Sequence, residues 1–305
     1  MRTAVLLLAA AAAPVLAEPI VLVADPEPVV TVRIRESELP VRVALGFQEA
    51  LLLNAGPAIE TGIKPFPIVG KMRFSNALLP GGSALFRFNR ISVGVAGAKK
   101  RKIPTAWVDP DITDRQTGVL SIFAFEGDRI VWERRGAPAP TATFELARRG
   151  SGSPHAEARI GAEKIRVTLA PDSPVTIMNA RAAAALEAEG LVRRASRVGL
   201  WSPIPRTRLP YQEMTPRPGA TLLGLPLLRP AARISEAQAR EIDARAEAGT
   251  STEDDDADTI LVKGEREGGR RSRSPWILVG ADVLDRCATI ELDRPGRRWV
   301  LNCAF

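Results

Sequence analysis

Apolar and polar residues alternate along most of this chain, and helical spacing is rare. Val29-Val-Thr-Val-Arg-Ile-Arg alternates apolar and polar positions and puts Val30, Val32 and Ile34 on one face, the pattern of a half-buried strand. Val41-Arg-Val-Ala-Leu-Gly-Phe and Glu49-Ala-Leu-Leu-Leu predict a hairpin that leads to a turn at Asn54-Ala-Gly. Between positions 64 and 116 come short β-like runs, Ala84-Leu-Phe-Arg-Phe and Arg90-Ile-Ser-Val-Gly-Val among them, broken by Pro and Gly. Gly118-Val-Leu-Ser-Ile-Phe-Ala-Phe, a charged turn and Arg129-Ile-Val-Trp-Glu close this first β-rich region at 136.

Gly136-Ala-Pro-Ala-Pro-Thr-Ala-Thr has a linker's composition, and 137–155 is taken as one. A second β-rich region runs from 156 to 305. Ala156-Glu-Ala-Arg-Ile-Gly and Lys164-Ile-Arg-Val-Thr-Leu lead into the turn Ala170-Pro-Asp-Ser. A helix in Ala180-Arg-Ala-Ala-Ala-Ala-Leu-Glu-Ala-Glu-Gly-Leu-Val follows, with Asn179 as N-cap and Gly190 as stop. Residues 233–274 offer few apolar positions. They carry an acidic block (Asp254, Asp255, Asp256, Asp258) and a basic one, and are expected to form a disordered surface insertion, with a turn or two of helix at Ser235-Glu-Ala-Gln-Ala-Arg-Glu and a short strand at Thr259-Ile-Leu-Val-Lys as the alternative. The acidic block lacks the spacing and glycine of a calcium loop, so a solvated charge run is the expectation. Pro275-Trp-Ile-Leu-Val-Gly-Ala-Asp-Val-Leu-Asp and a hairpin end the chain.

Composition narrows the function classes. Arg2, the apolar run Val5–Ala13 and Ala-Pro-Val-Leu-Ala ending at Ala17 read as a signal peptide over 1–17, which implies a periplasmic or secreted protein. The apolar run is too short for a comfortable span, and no other stretch approaches one, so stable membrane insertion is not expected. The net charge is +7, but the basic residues are scattered without an aromatic-interleaved patch, which argues against nucleic acid as a partner. The two cysteines, Cys287 and Cys303, flank the final hairpin. A three-residue turn at Arg294-Pro-Gly sets Asp293 opposite Arg297 and hence Cys287 opposite Cys303, within disulfide range; two unpaired thiols are the alternative. With one histidine, His155, the chain offers no metal-ligand set, and no cofactor motif is present.

The two β-rich regions share a grammar. Asn54 and Ser121 lie 67 residues apart; Ala170 and Gly280 lie 110 apart, or 68 once the 42 residues of 233–274 are set aside. A duplicated β unit explains that agreement. Here the chain resembles the bacterial retropepsin-like and pepsin-like aspartic proteases. Ile277-Leu-Val-Gly-Ala-Asp282-Val-Leu resembles the family's hydrophobic-hydrophobic-Gly segment. The strand to Leu169, the turn, Ser173 and Val175-Thr-Ile-Met resemble the surroundings of its Asp-Thr-Gly loop. The first half matches more weakly. The resemblance implies a mainly β fold: two acid-protease β-barrel lobes, 18–136 and 156–305, related by a pseudo-twofold in one monomer, with a short helix in the second lobe.

Where the family keeps Asp-Thr-Gly, this sequence aligns Asn54-Ala55-Gly56 in the first half and Ala170-Pro171-Asp172, followed by Ser173, in the second. Aspartic proteolysis needs two carboxylates that share one proton. An amide and a methyl group supply neither, and Asp172 comes two positions late, where an ångström of displacement is costly. Ser173 has no nucleophile-elbow glycines around it and reads as a turn residue, as does Asp282 in its own motif; Trp201 and Trp276 read as core. The expectation is a catalytically silent protease-like protein that binds a peptide or protein segment between its lobes. The alternatives are an atypical endopeptidase using Asp172 and a structural protein of the cell envelope.

Overall fold

Alternating residues become strands wherever both faces of the pleat find partners. A computed structural model describes residues 18–75, 83–150, 154–247 and 274–305. The expected signal peptide, the acidic block at 254–258 and the strand at 259–263 lie outside the described residues. In the first half the chain forms β1 (Ile20–Ala24), β2 (Val29–Ile34), β3 (Ser37–Ala44), β4 (Leu51–Asn54), the short helix α1 (Ala55–Glu60), β5 (Lys71–Ser75), β6 (Ser83–Val95), β7 (Arg101–Val108), β8 (Gly118–Ser121) and β9 (Arg129–Arg134). The two runs expected around 84–95 are one strand, β6. A seven-stranded sheet takes the order β2-β3-β8-β4-β7-β6-β5, and β2 also pairs with β6 from Val32↔Val95 to Ile34↔Val93. That extra pairing closes six strands into a barrel, which removes two edges. Ile34, Leu51, Leu53, Ile103 and Leu120 fill it and are fully buried; each contributes roughly 1.5–3 kcal/mol of transfer free energy.

The expected hairpin between 41–47 and 49–53 does not form. β3 and β4 lie in one sheet, but β8 sits between them, parallel to β3 and antiparallel to β4. β8, Gly-Val-Leu-Ser, is buried throughout, and its one polar side chain is satisfied because Ser121 Oγ donates to Phe47 O (2.8 Å), which suits an interior position.

Past β10 (Ala142–Ala147), the second half forms β11 (Ala156–Ile160), β12 (Glu163–Leu169), β13 (Thr176–Met178), α2 (Ala180–Ala188), β14 (Val192–Trp201), β15 (Leu209–Pro216), the small pair β16 (Thr221–Leu222) and β17 (Leu225–Pro226), β18 (Pro230–Arg233), α3 (Glu236–Glu247), β19 (Trp276–Val279), α4 (Ala281–Leu284), β20 (Cys287–Asp293) and β21 (Arg298–Cys303). Its large sheet runs β11-β12-β19-β13-β18-β15-β14. Strand by strand this is the order of the first sheet, and each shared pairing has the same sense; the β2–β6 closure has no counterpart among the described strands of the second half, so the expected second barrel is here an open sheet. The hairpins β2–β3 and β11–β12 are antiparallel; β3–β8 and β12–β19 are parallel; β4–β8 and β13–β19 antiparallel; β4–β7 and β13–β18 parallel; β6–β7 and β15–β18 antiparallel; β5–β6 and β14–β15 antiparallel. The helix α2 starts as its sequence indicates: Asn179 Oδ1 accepts from Ala182 N (3.0 Å), and Gly190 takes φ +62° just past the end.

A five-stranded sheet, β1-β9-β20-β21-β10, draws on both halves and ties them together. The stretch expected as a linker therefore carries a strand: Ala142-Thr-Phe-Glu-Leu-Ala alternates and pairs with β21. The expected disordered insertion likewise begins with order, since α3 occupies its first part with a Ser235 turn at its start, where Ser235 N donates to Gln238 Oε1. Cys287 and Cys303 are opposed and disulfide-bonded, both buried. The register that brings them together differs from the expected one. Asp293 faces Arg298, one position later, because the turn holds four residues, and an irregularity between Cys287 and Thr289 restores the pairing. A disulfide is compatible with an exported protein; among the described residues no helix is long and apolar enough to cross a membrane.

Candidate functional site: a cleft between the two halves

Equivalent strands deliver equivalent loops. β3 and β12 occupy the same place in their sheets, and their last ladder pairs with the neighbouring strand are Ala44↔Ser121 and Leu169↔Val279. The next residues are Leu45-Gly46-Phe47 in one half and Ala170-Pro171-Asp172 in the other. These loops meet. A Cβ on Gly46 would lie 3.2 Å from the Leu169 carbonyl oxygen and 3.2 Å from Thr168 Cγ2, so the glycine permits the close approach. Both loops form the floor of a cleft of about 750 Å³, with Trp107, Trp132 and the 112–116 segment on its first-half side.

The aligned tripeptide of the first half lies elsewhere. Asn54 ends β4, whose counterpart is β13, so its partner by topology is Asn179, not Ala170. Both asparagines stand at helix starts. Asn179 caps α2, whereas Asn54 turns away from α1 and braces a loop. Its Nδ2 donates to the carbonyls of Thr113 (2.8 Å) and Gln116 (3.3 Å), and its Oδ1 accepts from the backbone N–H groups of Ile112 (2.9 Å) and Thr113 (3.3 Å). All of its polar capacity is used by loop backbone, and the side chain is buried. Ala55 and Gly56 are the first turn of α1 and line no part of the cleft. In the second half Ala170, Pro171 and Asp172 do line the floor.

Asp172 is partly exposed, and its carboxylate meets the Arg42 guanidinium at 3.5 Å; Arg42 also approaches Glu27 at 3.9 Å. This ion pair joins β3 to the loop that follows β12. Ser173 is fully buried and cannot meet a substrate. Its hydroxyl donates to Val175 O (2.7 Å), its N–H to Ala170 O (2.9 Å), and its carbonyl accepts from Ala281 N (2.7 Å), so it holds the turn against α4. Asp282 accepts from Thr176 Oγ1 (3.0 Å) and from Arg229 N (2.9 Å). Burial raises its carboxyl above the usual aspartate range, and these two hydrogen bonds oppose the rise. It is a positioned structural acid and does not line the cleft.

The second half covers the cleft with its own hairpin. Between β14 and β15 the chain turns at Ser202-Pro-Ile-Pro-Arg-Thr, and Trp201 to Pro205 line the cleft wall. Thr207 knits the tip, donating from Oγ1 to Ile204 O and from N to the same oxygen (3.1 Å). Ile204 crosses to the first half and packs on a small cluster of Ala84, Val108, Phe86 and Ile112. Trp201 packs with Val175, Ile177, Leu209 and Tyr211, as a core residue should, but its indole Nε1 is buried without a partner among the described residues. Trp276 is partly buried against the same cluster. His155 bridges to Arg149 through backbone, well apart from the cleft's lining.

Sequence reasoning missed Arg42, Leu45, Gly46 and Ile204. Leu45-Gly46 at the end of an alternating strand carried the signal, but the expected hairpin absorbed it. No family model matches the chain, and no curated protein matches it.

Proposed function

We propose that the protein has the two-lobed, pseudo-twofold scaffold of retropepsin-like aspartic proteases without their reaction, and that it binds an extended peptide or protein segment in the cleft. One observation carries this reading. The two loops that meet on the cleft floor present Leu45 and Ala170 at equivalent positions, and neither side chain can exchange a proton. The floor's one loop carboxylate, Asp172, has a guanidinium as its partner. The apolar walls suit the side chains of an extended segment, with polar groups at the rim to orient it.

The test pairs cleavage with binding. The chain from Glu18 onward is incubated with mixed peptides from acid to neutral pH, and binding of the same peptides is followed by fluorescence anisotropy. The expected result is no cleavage, and binding that Ala170→Phe abolishes by filling the floor. Cleavage blocked by a statine-type inhibitor and removed by Asp172→Ala would overturn the reading and establish an atypical endopeptidase. Absence of both binding and cleavage across the peptide set would favour a structural role.

A further inference from the structure

The loop before β5 offers an apolar tip to solvent, and nothing in the cleft accounts for it. Phe66, Ile68, Val69 and Met72 are all exposed, Ile68 completely at 101%. Ile68 also takes φ +68°, a conformation costly for a β-branched residue. Water alone rewards neither feature. The tip is nevertheless built firmly. Gly70 N donates to Phe66 O (3.0 Å) and closes the turn; Phe66 N donates to Phe88 O (3.0 Å), and Phe88 N to Gly70 O (2.9 Å), fastening both ends to β6. Asn89 Nδ2 donates to Lys64 O (2.7 Å), and the Phe66 ring meets Phe88 edge-on at 6.2 Å. A Cβ on Gly70 would fall 2.1 Å from Phe66 N, so only glycine closes this turn. A fixed loop pushes its apolar apex outward.

Around that apex stand Lys64, Lys71 and Arg73, all exposed, and no acidic residue occurs from 61 to 75. None of these residues lines the cleft.

We propose that this loop is a membrane-docking tip: Ile68, Val69, Phe66 and Met72 enter the interfacial layer of an anionic lipid bilayer while Lys64, Lys71 and Arg73 engage its headgroups. An exposed apolar apex flanked along the chain by exposed basic residues matches the apolar interior and negative surface of such a bilayer. Lysine and arginine stems reach along the apolar surface with their charges at headgroup level. The contact is peripheral and leaves the cleft free. It is also local, unlike the diffuse attraction that a +7 net charge gives.

Co-sedimentation with vesicles tests it, using the chain from Glu18 onward so that the apolar N-terminal stretch cannot act as a competing anchor. Vesicles of mixed phosphatidylcholine and phosphatidylglycerol are compared with phosphatidylcholine alone. Binding is expected on the anionic vesicles, about tenfold weaker or worse for Ile68→Asp with Val69→Asp, because two apolar side chains no longer enter the interface. A comparable loss is expected for Lys64→Glu with Lys71→Glu, and none for Arg159→Glu with Arg166→Glu, an equal charge change on exposed strands of the second half. Thermal melting checks that each variant folds. Equal losses from both charge pairs with no effect of the apolar pair would reduce the binding to net charge and overturn the proposal. Wild-type protein left in the supernatant would overturn it as well, and would turn the same tip into a candidate protein contact.

Discussion

If Asn54 braces the 112–116 loop, then giving it a carboxylate should harm the fold rather than restore chemistry. In Asn54→Asp two accepting bonds survive, those from Ile112 N and Thr113 N. The two donated bonds become oxygen–oxygen contacts with the carbonyls of Thr113 and Gln116. Each buried carbonyl left without its donor costs about 1–3 kcal/mol, so the variant should lose roughly 3 kcal/mol or more near neutral pH. Asn54→Ala should lose a similar amount by deleting all four bonds. The aspartate variant has a signature the alanine variant lacks. Its carboxyl is buried against two carbonyls that favour the protonated form, so its folded pKa must lie above the unfolded value of about 3.9. Below the unfolded value the cost of the charge is absent. As pH rises from there to the folded pKa, the cost grows by about 1.4 kcal/mol per pH unit, and then levels off. Urea unfolding of the wild type and both variants at about pH 5 and about pH 7.5 reads this directly. Asn179→Asp is the internal comparison. It keeps the cap on Ala182 N and loses only the donation to Ser274 O (3.0 Å), so about 1 kcal/mol is expected. An Asn54→Asp variant as stable as the wild type at neutral pH, or one that gained peptide cleavage, would refute the placement of Asn54 as a loop brace.

Three further outcomes follow from the same geometry. Ile204→Asp should release the β14–β15 tip from its first-half cluster, raising hydrogen exchange across 202–208 several-fold while the melting temperature moves little, since the tip contributes one partly buried side chain to a small cluster. Asp282 has its carboxyl raised by burial, so ionising it in the folded state costs stability; that cost appears as pH climbs from the ordinary aspartate range through the raised pKa, and Asp282→Asn should flatten the dependence in that window. Cys287→Ser with Cys303→Ser should lower stability by roughly 3 kcal/mol, because the disulfide closes a loop of 16 residues' separation, and a shift of the urea midpoint matching that of the reduced wild type checks it.

The fold's strands were legible because alternation is a local signal, and β2, β9, β11, β12 and β21 all lie where apolar and polar positions trade places. Their order was not, because insertion of β8 between β3 and β4 joins residues some 70 positions apart, and no local pattern encodes it. Reading 41–53 as a hairpin followed from that blind spot, and so did the choice of Asn54. The tripeptide Asn54-Ala-Gly looks like a degenerate acid-protease loop only if it ends the strand that β3 in fact ends. Likewise only a turn or two of α3 is legible, because its described side chains bury little besides Ala239, and β10 reads as linker because prolines frame its alternation.

On the proposed reading, the loops after the hairpins β2–β3 and β11–β12 are the positions at which acid proteases hold their catalytic acids. In the second half the sequence had already put Ala170 there. In the first half topology replaces an amide by Leu45, which is 1% exposed and packed in the core. An asparagine differs from aspartate by a single group. A buried leucine does not, and a charge at Leu45 would have to be accommodated by the core around it at a cost of several kcal/mol. Leu45 belongs to the core, and the two loops that meet at Gly46 and Leu169 close the cleft floor.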